Sequence, residues 1–430
     1  MTKNAEKKPE TFLLAAFAIE DRVDFKFVEH SYHGDSSPIE EVKEARSVIP
    51  SEKIRMRRRD QSDYFEQIYD FMRNQLIAFE SLYRDQNSPN TIFDKLDQIV
   101  ISMPGVIEDN RILIQLPLWN WETETSARWR KDGVLVPNFD FGQIICDIVE
   151  AVEAERPVKT NLETLISKIF VVNDATACAA VEYNFRQREK ISNAPHSFVF
   201  IKAHTGINVG MVEDGYVFTK KAQPEMGHFY PNLHPKDNEI GYGGCCPFHG
   251  NCLEGMISLH SLNERTWPVE ATAKTIEEWT ALAYGVDRNK ETALFKALIE
   301  SKLGIDIAAH YIAQLVHPLM LSPSLPESIV IGGRYAREAV LQAVRDKISI
   351  MIGQYPQRSE YGTPKKLETF IEKAHVSDLK SIEIIGALEI ARGLARRARE
   401  GDPPSQGEAH SDKAQGDNVV PFVRNRVNSA

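Results

Sequence analysis

No run of about 18 apolar residues occurs anywhere in the 430-residue sequence, so no segment is expected to cross a bilayer as a helix. No h-region of signal-peptide length is expected either. Residues 1–8 are polar and charged, and charges resume at Glu20, which points to a cytoplasmic protein. Positive charge is in deficit: 51 Lys and Arg stand against 61 Asp and Glu, a net charge of −10. A field of that sign opposes nucleic-acid and anionic-membrane partners, and neither is expected. The only strongly basic run, Lys53-Ile54-Arg55-Met56-Arg57-Arg58-Arg59, is followed by Asp60, Asp63 and Glu66 and reads as a solvated segment. A disulfide framework is lacking too. The five cysteines are odd in number, and three of them, Cys245, Cys246 and Cys252, fall within eight residues, a spacing that suits a metal.

What is present is an ordinary globular composition, 42% hydrophobic and 26% charged, long enough for two lobes. Apolar runs at 12–19, 23–28, 98–103, 111–118, 169–172, 198–202 and 328–331 predict strands. Between them, Tyr64, Ile68, Phe71, Met72, Leu76, Phe79 and Leu82 recur at helical spacing, and helices are expected at 141–154, from 175, over much of 256–320 and at 382–398. Asp214-Gly215 predicts a hairpin turn between 209–212 and 215–218. Alternating strands and helices make the fold class α/β. After Gly401 the chain turns to Pro, Ser, Gly, Asp and Gln, and residues 401–430 are expected to be disordered. No internal sequence repeat is evident.

The densest chemical signal lies between 225 and 254. Cys246, His249 and Cys252 are spaced three apart in a glycine-containing loop, and His228 precedes them. Two thiols and two imidazoles are the donor set of a closed, structural Zn²⁺ site, which leaves no position for a catalytic water. Cys245 is the less fitting neighbour. Glu225 and Glu254 flank this segment, and two fixed carboxylates can accept hydrogen bonds from adjacent hydroxyls of a sugar.

Cys-Pro-Phe-His-Gly-Asn-Cys-Leu-Glu-Gly (246–255) resembles the zinc knot of the ROK family of sugar kinases and repressors, in its bacterial fructokinase-like branch. Further stretches resemble family motifs in the same order: Pro104-Gly105-Val106, Trp119-Asn120-Trp121, Asn173-Asp174-Ala175-Thr176-Ala177, Thr205-Gly206-Ile207-Asn208-Val209-Gly210, Ile331-Gly332-Gly333 and Ile385-Gly386-Ala387. The resemblance implies a two-lobed actin-like (ribonuclease H-like) fold with the sugar between the lobes. It divides the chain into an N-terminal lobe at 1–173, completed by helix 382–398, and a C-terminal lobe at 174–381. It implies a kinase that uses ATP and Mg²⁺, with Asp174 as catalytic base and Asn173, Asp174, Glu225, His228 and Glu254 on the sugar. Thr205, Gly206, Gly332 and Gly333 would face the nucleotide; His228, Cys246, His249 and Cys252 would hold the zinc; a homodimer is expected.

The chain departs from the family after its first strand. Family kinases carry Asp-x-Gly-Gly-Thr-Lys there, whereas this chain has Ala18-Ile19-Glu20-Asp21-Arg22. Two carboxylates in place of glycines repel a polyphosphate, and His204 and Asn208 also replace glycines in the second turn. The alternative expectation is therefore a catalytically inactive sugar-binding sensor or regulator. The first strand begins too early to leave room for the winged helix of a family repressor.

Overall fold

The computed structural model describes residues 10–19, 22–32, 46–47, 54–55, 64–83, 90–105, 107–108, 111–112, 130–131, 134–135, 139–189, 191, 195–204, 206–218, 224–246, 249–258, 261, 301–321, 326–353, 363–376, 382–400 and 419–421. Glu20, Asp21, Trp119-Asn120-Trp121, Thr205, Pro247, Phe248, residues 262–300 and the 401–430 segment other than 419–421 lie outside them, as does the basic run apart from Ile54 and Arg55.

In chain order the principal elements are β1 (Glu10–Ile19), β2 (Arg22–Tyr32), α1 (Tyr64–Tyr83), β3 (Gln98–Met103), α2 (Phe141–Val152), β4 (Ile169–Asn173) and α3 (Asp174–Arg188). There follow β5 (Phe198–Ala203), β6 (Ile207–Glu213), β7 (Tyr216–Phe218), α4 (Pro235–Ile240), α5 (Leu253–Ile257), α6 (Lys302–Leu321) and β8 (Ser328–Gly333). Last come α7 (Glu338–Ile352), α8 (Pro364–Phe370), β9 (Ile371–Lys373), α9 (Ile382–Glu400) and β10 (Val419–Pro421). The mixed α/β class is the one expected. Of the strand expected at 111–118, only Arg111–Ile112 is described. The Asp214-Gly215 turn has φ of 51° and 82°, the positive pair that an Asp-Gly hairpin turn requires.

The chain folds as two compact units. Unit 1 comprises residues 1–192, 215–223 and 381–430, and unit 2 comprises 193–214 and 224–380. Residues 174–192, assigned from sequence to the second lobe, lie in unit 1. The physical reason is packing: α3 is buried almost all round through Ala175, Thr176, Ala177, Cys178, Ala179 and Ala180, and it lies on α9. The approach is so close that a Cβ on Gly386 would sit 2.1 Å from the Ala177 carbonyl oxygen.

In unit 1 the sheet order is β4-β3-β1-β2. The first two strands are antiparallel, and β3 and β4 join them in parallel. Phe17, Phe25, Phe27, Ile99 and Ile101 meet Ile68, Phe71, Met72, Leu76 and Phe79 of α1, the apolar face that the helical spacing predicted. Leu82, at the end of that helix, is instead 60% exposed. Within unit 2 the order is β9-β8-β5-β6, again one antiparallel pair, β5 and β6, extended by parallel strands. Its core joins Val199, Ile201, Ile329 and Ile331 to Tyr311, Ile312 and Leu315 of α6 and Val340 and Val344 of α7. In each unit the parallel strands all end on the same side of the sheet, where ligand sites of α/β sheets form.

Candidate active site and metal centre

In unit 2, His228, Cys246, His249 and Cys252 converge, with one donor atom from each inside a group no more than 4.8 Å across. The Cys252 and Cys246 sulfurs lie 3.6 and 3.9 Å from His228 Nδ1, and Cys246 Sγ lies 3.9 Å from His249 Nδ1. Around a tetrahedral Zn²⁺ with ordinary bond lengths, neighbouring S and N ligands stand about 3.6 Å apart. Cys245 is outside the group, with its Sγ 3.2 Å from Ser258 Oγ.

Local backbone chemistry builds this arrangement. Cys246 and Gly250 exchange two backbone hydrogen bonds, N–H to O at 3.1 and 2.8 Å, and the loop between them carries His249. Gly250, at φ 63°, reverses the chain. A Cβ on Gly255 would fall 1.9 Å from the Gly250 carbonyl oxygen, so α5 closes directly on the loop. His228 arrives on a 3-10 turn, Met226–His228, whose preceding residue is the half-buried Glu225.

Electrostatics of the group follow from burial. Desolvation, and then the neighbouring His249, lower the pKa of His228 and keep its imidazole neutral, the form that ligates. Desolvation also pushes the Cys252 thiol up to about 12, with the Cys246 thiol and Glu254 adding to the effect against a hydrogen bond from Gly255. Two thiols packed this tightly need a cation to be deprotonated together, which a divalent metal would supply.

The metal segment is joined to the expected nucleotide turn. Glu254, two residues after Cys252, accepts from the Ile207 backbone N–H at 3.4 Å through Oε2. A Cβ on Gly206 would lie 2.5 Å from that same oxygen, and one on Gly227 would lie 1.9 Å from the Ile207 carbonyl oxygen. Gly206 and Gly227 therefore let the metal segment press against the start of β6. Gly332 and Gly333 also have packing reasons to be glycine: a Cβ on Gly332 would strike the Phe200 ring at 2.2 Å, and Gly333, at φ 82°, sits over the Ala203 carbonyl oxygen. An unanticipated contact lies beside them, where Arg334 Nε donates to His204 Nε2 at 3.1 Å. Its sequence signal is a basic residue directly after a strand-ending Gly-Gly.

Asn173 and Asp174 belong to unit 1. Both are buried where β4 ends and α3 begins. Asn173 Nδ2 donates to the Gly105 carbonyl oxygen at 3.2 Å, tying β4 to the Pro104-Gly105 turn that ends β3. The Ala175 N–H lies 2.9 Å from Asn173 Oδ1 and 2.8 Å from Asp174 Oδ1.

A family model described as the ROK family matches residues 142–392. A fructokinase of Streptococcus mutans is 31% identical over 161 residues, 37% of this chain and 46% of that protein. A fructokinase of Zymomonas mobilis is 30% identical over 171 residues, 40% of this chain and 48% of that protein. The chain thus spans about half the length of the curated relatives it matches. A ROK family glucokinase of Streptomyces griseus, solved with glucose and AMPPNP, aligns with a TM-score of 0.49 at 16% identity, covering 88% of this chain and 99% of that one.

Proposed function

The chain belongs to the ROK family, and on that premise we propose that it is a sugar kinase that transfers the γ-phosphate of ATP to a hexose, fructose being the first candidate. The observation that supports this most is the joining of two functions in unit 2. One short segment carries four converged metal donors and a carboxylate, Glu254, that reaches the glycine turn at Ile207. Zinc held by His228, Cys246, His249 and Cys252 acts as a cross-link, since four protein donors leave it no open position. Glu225, His228, Glu254 and Asn173 accept or donate hydrogen bonds to the sugar. Asp174 takes the proton of the attacking hydroxyl as its oxygen bonds to the γ-phosphorus and the bond to ADP breaks. Thr205, Gly206, Gly332 and Gly333 face ATP·Mg²⁺.

The test is ADP formation with a hexose panel. Asp174→Asn should lower kcat by about 10²–10⁴-fold, the contribution of a positioned general base, while sugar affinity holds. A variant as active as wild type removes Asp174 from the chemistry.

A second reading, a sugar sensor without transferase activity, is favoured by one observation. The family match begins at residue 142, so the turn bearing Ala18, Glu20 and Asp21 in place of Asp-x-Gly-Gly lies outside it. Calorimetry separates the readings. Nucleotide affinity alongside sugar affinity belongs to the kinase, and sugar affinity alone belongs to the sensor.

A further inference from the structure

Three adjacent parallel strands of unit 2, β9, β8 and β5, end side by side, with Ala203 opposite Gly333 and Ile331 opposite Lys373. Basic residues gather at these ends. Lys202 and His204 come from β5 and its exit, Arg334 follows β8, and the exposed Lys373 ends β9. Among the described residues, acidic side chains on the same elements include Glu372 on β9, and the Glu254 carboxylate is held at Ile207.

Backbone geometry forces the central pair together. Gly333, in the left-handed region, brings the chain over the Ala203 carbonyl oxygen, which the Tyr335 N–H then approaches at 3.5 Å. Arg334 is thereby turned toward β5, and its Nε donates to His204 Nε2 at 3.1 Å. A guanidinium has no acceptor, so in this contact it is the imidazole Nε2 that accepts. The contact orients the planar guanidinium, whose fork matches the oxygens of a phosphate. Both side chains are half-buried, open enough to meet a ligand and dry enough for charge to count.

We infer that His204 and Arg334 form an anion subsite for a polyphosphate, with the imidazole orienting the guanidinium and the guanidinium holding the phosphate oxygens. The subsite offsets the Glu254 carboxylate at the same turn. The identification of its ligand as the phosphate chain of ATP rests on the kinase reading; the anion subsite does not.

Calorimetry on the full chain with inorganic tripolyphosphate and with ATP, each with a saturating hexose, tests it. Arg334→Ala should weaken both ligands by about tenfold or more, the loss expected for a hydrogen bond to a charged group. Arg334→Lys should recover part of the affinity, because the charge stays and the fork is lost. His204→Gln, which keeps an acceptor for Arg334, should bind nearly as wild type, and His204→Ala should not. Hexose affinity and melting temperature should be unchanged in all four; if the alanine variant at 334 is unstable, Arg334→Gln takes its place. Equal binding of both ligands by wild type and Arg334→Ala overturns the subsite and leaves the kinase reading standing. Tripolyphosphate binding that depends on Arg334, without transfer to any hexose, keeps the subsite and removes the kinase. A wild type that binds neither ligand removes both.

Discussion

His310 on α6 places its Nε2 3.0 Å from the Asn232 carbonyl oxygen, with its ring edge-on to that of His234 at 5.0 Å. Burial lowers its pKa, nearby His234 and Lys347 add to that, and the Asn232 hydrogen bond and Asp306 oppose it. With a folded pKa below the ordinary 6.5, the unfolded chain takes up the proton first as pH falls. The stabilisation from a neutral His310 is therefore fully present above 6.5 and is lost as pH drops through the folded value. Urea denaturation at pH 7.5 and 5.5 should give a lower midpoint at the acidic pH, and His310→Gln should flatten that difference; an unchanged pH slope in the variant assigns the effect elsewhere. Asp306 acts in a separate window. Burial would raise its pKa, but hydrogen bonds from Lys347 and His234 prevail and lower it, so its contribution fades only as the carboxylate protonates below 3.8. Neither effect was legible in the sequence, because both depend on residues roughly 40 to 80 positions apart meeting at one place.

Among the elements, the loop of metal-type donors was the most legible. Cys246, His249 and Cys252 announce themselves by spacing, and the tight loop closed by Gly250 needs no long-range information. Two features were not local. Position 228 reaches the loop because Gly227 has no Cβ to meet the Ile207 carbonyl, and Cys245 is excluded because its thiol faces Ser258. These differences make a prediction by element. Cys252→Ser should release zinc and lower stability by ~3 kcal/mol or more, the scale of a lost structural metal. Cys245→Ser should retain the metal. Metal analysis and thermal melting of the two variants check this, and equal zinc loss in both would place Cys245 among the ligands. The glycines at 206, 332 and 333 teach the complementary lesson. Their sequence pattern suggests turns that face a nucleotide, but it does not reveal that Glu254, Phe200 and the Ala203 carbonyl each occupy the space of a missing Cβ.

At the scale of the molecule, both units share one topology, an antiparallel pair extended by two parallel strands, although no repeat shows in the sequence. Burial asks only for apolar residues at the right period, so two such sheets can be built from unrelated side chains. Unit 1 is assembled from three stretches of chain, and α9 closes it by covering β1, β3 and α3 with Ile384, Leu388, Ile390 and Leu394. Each of these side chains contributes about 1.5–3 kcal/mol, and together they rival the whole stability of a domain. A chain truncated after Lys380 should therefore lose unit 1. Limited proteolysis should cleave within residues 139–189 of the truncated protein but not of the full chain, and equal protection of that stretch in both would show that α9 is dispensable.

By itself the sequence determined the α/β class, the principal strands and helices, the Cys/His loop and the Asn-Asp pair at a strand end, because each is a local pattern of period, spacing or cap. Only tertiary structure decided that α3 belongs with unit 1, that Glu254 reaches Ile207 and that Arg334 meets His204. Those facts depend on which distant backbones approach within a few ångströms, and a linear pattern carries no record of that distance.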